Sequence, residues 1–366
     1  MALTHGLDAE ASRSPTARVR ASRPGEGLAI AALWRELWDA HQGWGGYPGS
    51  RDQAVYLRLA NRLNEDARLR AGRPLMGSHV HLVAEVDGAP CGQVEGWLER
   101  RGTGALAAVL CEVRSLVVTG RARGLGVGRM LLDVLGQTAQ ALAPAAPCVL
   151  AAEVLDPNPA RAFYTRVGFA PVAWSAWMDP SDGARAAEAQ SSGGILARTA
   201  RAADAAPLSS LEAILAERRR AAGDLRFEPA RAIDAAMLAA IAAHLAADAR
   251  QRGDAATIVA VDRWGAVRGA ASVMVQSLDP PFVAARRALL GRFALDPAFP
   301  PLALLAPLVA TGCRFAEARG AARVELTDLT APGTPLYEAA LAIGARPWSH
   351  VVQRQSPVPC PRQPHG

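Results

Sequence analysis

Apolar positions along the chain follow two periods, and each change of period marks an element. Residues 17–22 alternate as a short strand. Ile30, Leu33, Trp34 and Leu37 then fall at helical spacing, as do Val55, Leu59 and Leu63 beyond a glycine-rich loop at 43–52. HVHLVAEVDG and APCGQVEGWLER alternate and meet at Asp87-Gly88, the mark of a hairpin. CEVRSLVV (111–118) predicts a strand, MLLDVLGQTAQAL an apolar-striped helix, CVLAAEV (148–154) a strand, NPARAFYTRVG a short helix and FAPVAWSAWM a strand. Strand, two helices, three strands, helix, strand, helix, strand is a mixed order. It predicts an α/β fold with a largely antiparallel sheet flanked by helices.

The same order then returns. PSDGARAAEAQSSGG is small and turn-rich and reads as a linker or long loop, after which GILARTA is expected to return a last strand to the first sheet. SSLEAILAERRRAA predicts a connecting helix with Ser209 or Ser210 as its cap. RFEPARAIDAAMLAAIAAHL reads as strand then helix, and TIVAVDRWGAVRGAASVMV as the hairpin again, Asp262 standing for Asp87. Leu295 stands for Val118, and Gly344 for Gly168. A near-constant offset through hairpin, loop and closing glycine indicates two copies of one fold. The division expected is 15–200 for a first, catalytic domain, 201–224 for a linker helix and 225–356 for a degenerate second domain.

Composition changes this picture little. The 366 residues suit two cores. All 40 basic residues are arginine, giving a net charge of +6, but they are scattered and form no dense basic run, so no nucleic-acid partner is expected. No apolar run is long enough for a membrane span, and no apolar segment follows a basic start, so a cytoplasmic protein is expected. Cys91, Cys111, Cys148, Cys313 and Cys360 make no CxxC pair. Neither a disulfide nor a metal site is expected of them, nor of His79 and His81, two imidazoles being too few for a metal.

The chemistry concentrates at Arg123-Gly124-Leu125-Gly126-Val127-Gly128, between a predicted strand and a predicted helix. Alternate glycines let the backbone approach a ligand, and the helix N-terminus that follows suits a pyrophosphate, with Arg123 and Arg129 adding positive charge. By itself such a loop is equally a tight turn. The spacing is neither the dinucleotide fingerprint nor a nucleotide-triphosphate loop. Together, however, LVVTGRARGLGVGRMLL and the later NPARAFYTRVGF resemble the GNAT superfamily of N-acetyltransferases. The R/QxxGxG/A loop of that family corresponds to Arg123, Gly126 and Gly128. Its Asn…Phe-Tyr…Gly-Phe element corresponds to Asn158, Phe163, Tyr164, Gly168 and Phe169.

The resemblance implies acetyl-CoA as co-substrate, with no metal. The amides of Gly124, Leu125, Gly126, Val127, Gly128 and Arg129 would hold the pyrophosphate. Leu116, Val117 and Val118 would pair with the pantetheine arm, and Asn158 would hydrogen-bond that arm. Tyr164 stands where the family uses a general acid; otherwise it is a core tyrosine. A base must take a proton from the acceptor ammonium. Glu112 is the candidate, with Glu95 the second choice; alternatively Glu112 is a strand residue paired with Arg114 or Arg100. Trp44, Tyr47, Asp39, His41 and Asp52 ring the loop where the family meets its acceptor, unless these aromatics merely anchor that loop. Aligned without gaps from Leu295, the second copy has Pro300, Pro301, Ala303 and Leu305 for Arg123, Gly124, Gly126 and Gly128, and Ala340 for Tyr164. Its cradle is expected to be lost. The expected activity is N-acetylation of a small-molecule amine, the alternatives being a protein or peptide acceptor or a non-catalytic acetyl-CoA sensor. Oligomeric state is not legible.

Overall fold

A computed structural model describes residues 17–71, 79–101, 108–142, 146–191, 194–227, 235–248 and 253–355. In chain order the first half contains β1 (Ala17–Ala21), α1 (Gly27–Gly43), α2 (Gln53–Ala71), β2 (His79–Val86), β3 (Ala89–Arg101) and β4 (Ala108–Val118). These are followed by α3 (Val127–Leu142), β5 (Cys148–Leu155), α4 (Arg161–Arg166) and β6 (Ala170–Met178). After α5 (Pro180–Gln190), the same order repeats. It runs β7 (Ile195–Thr199), α6 (Ala205–Ala221), α7 (Ala235–Asp248), β8 (Ala255–Asp262), β9 (Val267–Ser277), β10 (Arg286–Leu295), α8 (Pro301–Glu317), β11 (Arg323–Leu329), α9 (Pro335–Ala342) and β12 (Arg346–Gln355). The repeat is complete, element for element.

The alternation of β4 explains how its sheet is covered. Val109, Cys111 and Val113 are buried against Leu131 and Leu135 of α3, whereas Glu112 and Arg114 face the other way and are exposed. On that second face α1 and α2 build a small core from Ile30, Trp34, Tyr56, Leu59 and Leu63 over Val83 of β2. The two helices approach closely at Gly27, where an added Cβ would lie 2.1 Å from the Ala60 carbonyl oxygen. Backbone cannot yield as a side chain does. Gly27→Ala is therefore expected to cost about 1–3 kcal/mol of stability, read as a fall in the thermal unfolding midpoint; an unchanged midpoint would contradict this packing.

All twelve strands form one sheet, in the order β1-β2-β3-β4-β5-β12-β6-β11-β10-β9-β8-β7. At its centre the two halves exchange strands: β12 pairs antiparallel with both β5 and β6, and β6 pairs antiparallel with β11. Each half thus receives a strand from the other, and Val352 of β12 belongs to the first core while Ala176 and Met178 of β6 belong to the second.

Several local expectations are corrected here. The segment read as linker forms α5, begun by Pro180 at its first turn and buried through Ala184 and Ala187 in the core that α8 shares. Residues 195–199 do not return to the strands of the first half; they pair with β8 at the far edge of the sheet and open the second half, the role expected of RFEP. Ser209 and Ser210 lie inside α6 and donate to the carbonyls of Ala205 and Ala206, so neither caps it. Among the described residues, no helix is long and apolar enough to cross a membrane.

Candidate acetyltransferase site

Strands β4 and β5 run parallel and pair from Val109/Cys148 to Val113/Ala152, then part. Beyond that point β4 stays joined to β3 on its other side, through Val117↔Gln93 and Val118↔Gly92, so one edge of Leu116–Val118 faces the opening. The register against β3 shifts between Gln93 and Glu95, and Ser115 takes φ +54°, a left-handed conformation uncommon for serine. Bulges of this kind turn a strand beside a functional site. The second half keeps the same bulge, with Arg292 at φ +53°, and β10 and β11 likewise pair only through Leu290/Leu326.

The glycine loop closes the opening at its far end. Gly124 and Gly126 have φ of +85° and +75°, and the space beside both is open, so backbone rather than side chain faces outward there. Gly128 is required for a different reason: a Cβ there would stand 3.1 Å from the Phe163 ring. Helix α3 begins at Val127, and its first-turn amides have no partners within the helix, which suits an anion. The Arg123 side chain donates from Nε to the Val118 carbonyl (3.1 Å) and meets Glu36 at 3.4 Å; Arg129 meets Asp133 at 3.6 Å. The Asn158 side-chain oxygen accepts from the Ala160 amide (2.9 Å), shaping the turn into α4. These groups and this open cradle fit a CoA pyrophosphate, as the chemistry of the loop requires.

Tyr164 is buried in the first core, edge-on to Phe163 and Phe169. Burial pushes its phenol above the ordinary range, so it keeps its proton at neutral pH. Glu112 lies on the opposite face of the sheet, exposed, with Arg114 at 2.8 Å, so the ion pair read as its alternative role is present. Glu95 is buried with His79 at 3.4 Å and the Ser115 hydroxyl at 3.4 Å. Burial opposes its ionisation, yet the His79 hydrogen bond and the nearby His81 prevail and lower its pKa. The His81 ring meets Gln93 at 2.8 Å, and no three His, Cys, Asp or Glu converge as a metal site among the described residues. Cys91, Cys111, Cys148 and Cys313 are all buried, and burial raises the Cys111 thiol and pushes Cys313 up to about 12. Cys360 lies outside the described residues.

The loop between α1 and α2 is anchored, and on the second half. The Tyr47 hydroxyl donates to Glu325 (2.5 Å), Ser50 N to the Pro281 carbonyl, Val283 N to the Pro48 carbonyl, and Trp38 packs on Phe282. His41 lies between Trp38 and Trp44, and burial lowers its pKa to about 4. Asp52 accepts from the Ala54 amide at the start of α2. Because His41 is neutral when folded, its contribution to stability is whole above about pH 6.5. It is lost as pH falls towards 4, where the unfolded chain binds the extra proton. His41→Gln is expected to flatten the decline in unfolding midpoint across that window; an unaltered slope would show that His41 is not the titrating group.

None of these loop residues lines a cavity of about 550 Å³ on the sheet. That cavity lies on the face of Glu112 and Arg114, over the point where β4 and β5 part, and both halves wall it: Trp97, Glu112 and Glu153 from the first, Phe227, Arg292 and Asp328 from the second. Sequence reading missed these second-half residues. It also missed Arg354 of β12, which donates to Asp133, Val167 O and Leu132 O and so ties α3 and α4 together. No motif marks such residues, because only the exchanged strand brings them to the site.

The second half lacks the cradle, but the gap-free alignment sets its residues against the wrong positions of the first. Eight residues (119–126) separate β4 from α3, but five (296–300) separate β10 from α8. Helix α8 therefore matches α3 through Leu304, Leu305 and Leu308 for Leu131, Leu132 and Leu135, all fully buried. Leu305 is core and does not replace Gly128; Pro300 and Pro301 stand at the helix start, where proline supplies no amide. The shortened loop has no positive-φ residue, and Ala340 is wholly buried where Tyr164 stands in the first half.

Residues 77–171 match the family model described as "Acetyltransferase (GNAT) domain". No curated protein matches the chain. Among solved structures, a GCN5-related N-acetyltransferase from Sphaerobacter thermophilus is 17% identical with a TM-score of 0.55, over 93% of this chain and 95% of that one. A GCN5-related glucosamine N-acetyltransferase region of a fungal multi-domain GH3 β-N-acetylglucosaminidase is 15% identical with a TM-score of 0.50, over 94% of this chain and 38% of that one. A tandem GNAT protein from the clavulanic acid biosynthesis pathway is 18% identical over 93% of this chain and 98% of that one, with a TM-score of 0.49. The parted strands and the glycine cradle lie within the segment that matches the GNAT acetyltransferase domain, the fold repeats in the second half, and over the whole chain that fold is similar to the Sphaerobacter thermophilus structure.

Proposed function

We propose that the first half transfers an acetyl group from acetyl-CoA to the primary amine of a small molecule, by direct attack. The observation that carries this reading is the 550 Å³ cavity over the parting of β4 and β5, walled by both halves. Its volume is within the range of small-molecule sites. GNAT enzymes take acetyl-CoA as donor, and its thioester supplies the activated acetyl group. The amides of 124–129 hold the pyrophosphate, helped by Arg123 and Arg129. Leu116–Val118 present their free edge to the pantetheine arm, and Asn158 lies beside it. A backbone amide of that edge receives the charge that develops on the acetyl oxygen. Glu112, on the cavity face, takes the proton of the acceptor ammonium directly or through water. Tyr164, rooted on the opposite face, gives its proton to the departing thiolate. Nucleophile and acid thus act from opposite sides of the sheet.

An acetylation assay over a panel of small amines and lysine peptides, followed by release of free thiol, tests this. Turnover is expected with amines that fit the cavity and not with peptides. CoA that binds without turnover on any amine would favour a sensor. Calorimetry is expected to find one CoA per chain; two would overturn the account of the second half.

A further inference from the structure

We infer that Glu153 is the specificity-determining residue for the acceptor, receiving its ammonium in a site that the two halves build together, and that the acceptor is an amine with an apolar body. This rests on the acetyl-transfer reading above. Glu153 is the first residue of β5 beyond its last pair with β4, and so stands where the strands part. It is exposed and lines the cavity. Its carboxylate is oriented from the exchanged strand: the hydroxyl of Ser349, a fully buried residue of β12, donates to Oε1 at 2.5 Å. The other charges of the cavity are engaged with one another or with neighbours. Glu112 holds Arg114, Asp328 holds Arg226, and Arg292 meets Glu212 at 2.6 Å.

The apolar part of the ligand has a wall of its own: Trp97 lines the cavity from β3 and is 41% exposed, whereas Phe227, which lines it from the second half, is buried. Arg292 lies over the Phe227 ring at 5.2 Å. An amine bound at Glu153 lies at the mouth of the parted strands, beside Glu112, with its nitrogen towards the edge of Leu116–Val118.

The test uses the full chain with aromatic and aliphatic primary amines and the corresponding neutral acetamides as probes. Binding is read by calorimetry in the presence of CoA, and turnover by thiol release. Glu153→Gln is expected to raise KM for amines at least tenfold while changing kcat less, to weaken their binding in parallel, and to leave CoA affinity unaltered. Glu153→Asp is expected to restore part of the binding, which a merely structural role would not do. Trp97→Ala is expected to weaken aromatic amines more than aliphatic ones. Unchanged amine binding in Glu153→Gln, or binding of the neutral acetamides equal to that of the amines, would overturn the inference even if acetyl transfer is confirmed. Glu153-dependent binding without turnover would instead sustain this site and refute the catalytic reading.

Discussion

Gly126→Pro is expected to abolish CoA binding, with a loss of at least roughly 100-fold in affinity. Position 126 has φ +75°, whereas proline holds φ near −65°, so the loop cannot keep its path. The substitution also removes one amide from the cradle at the start of α3, where an anion gathers several donors and the favourable end of the helix dipole. The Gly126 carbonyl accepts from Met130 and begins the helix, so a displaced loop also disturbs the first turn. Gly126→Ala separates local geometry from misfolding. Its side chain meets open space, and only the left-handed backbone is strained, by roughly 1 kcal/mol, for a weaker loss of affinity. Calorimetry with CoA, beside circular dichroism of each variant, is the measurement. A folded Gly126→Pro chain that binds CoA with ordinary affinity would refute the cradle.

Tyr164→Phe carries the second large effect: kcat is expected to fall roughly 100-fold, the range lost with a positioned proton donor, while CoA affinity is retained. The ring is buried between Phe163 and Phe169, so phenylalanine preserves its volume and edge contacts, and the fold is expected to survive. Burial raises the phenol, so the wild-type enzyme is expected to lose no activity to Tyr164 ionisation as pH rises to 10. A kcat left unchanged by Tyr164→Phe would remove the general acid and return Tyr164 to packing. The second half supports the same view from within the molecule. With Ala340 at the matching place and prolines at the start of α8, it keeps the fold, the bulge and the parted strands, yet offers neither amides nor a phenol.

Much of this was legible locally. Asp87-Gly88 specified its hairpin because both residues need positive φ (+51° and +79°), and the alternation of β4 separated its core side from its cavity side. The glycine loop and Tyr164 were found because close backbone approach to a ligand demands glycine, and that demand is written in consecutive residues. The helix α5 was missed because its small residues carry no strong period; they become helical by packing against α8. The gap-free alignment failed because strand pairing holds a register that a shortened loop does not disturb, so the deletion between β10 and α8 left both flanking elements unaltered.

The sequence by itself determined what depends on neighbours in the chain: the elements, their repetition and the cradle of the first half. Tertiary structure alone decided which half each strand completes. Hydrogen-bonded strand edges specify a pleat and a register but not the owner of the partner strand, so the exchange of β6 and β12 is settled only when the whole sheet assembles. That exchange brings Ser349 to Glu153 and Arg354 to α3 and α4, across separations of 187 to 222 residues. It also sets Phe227 and Arg292 over a cavity that neither half encloses alone.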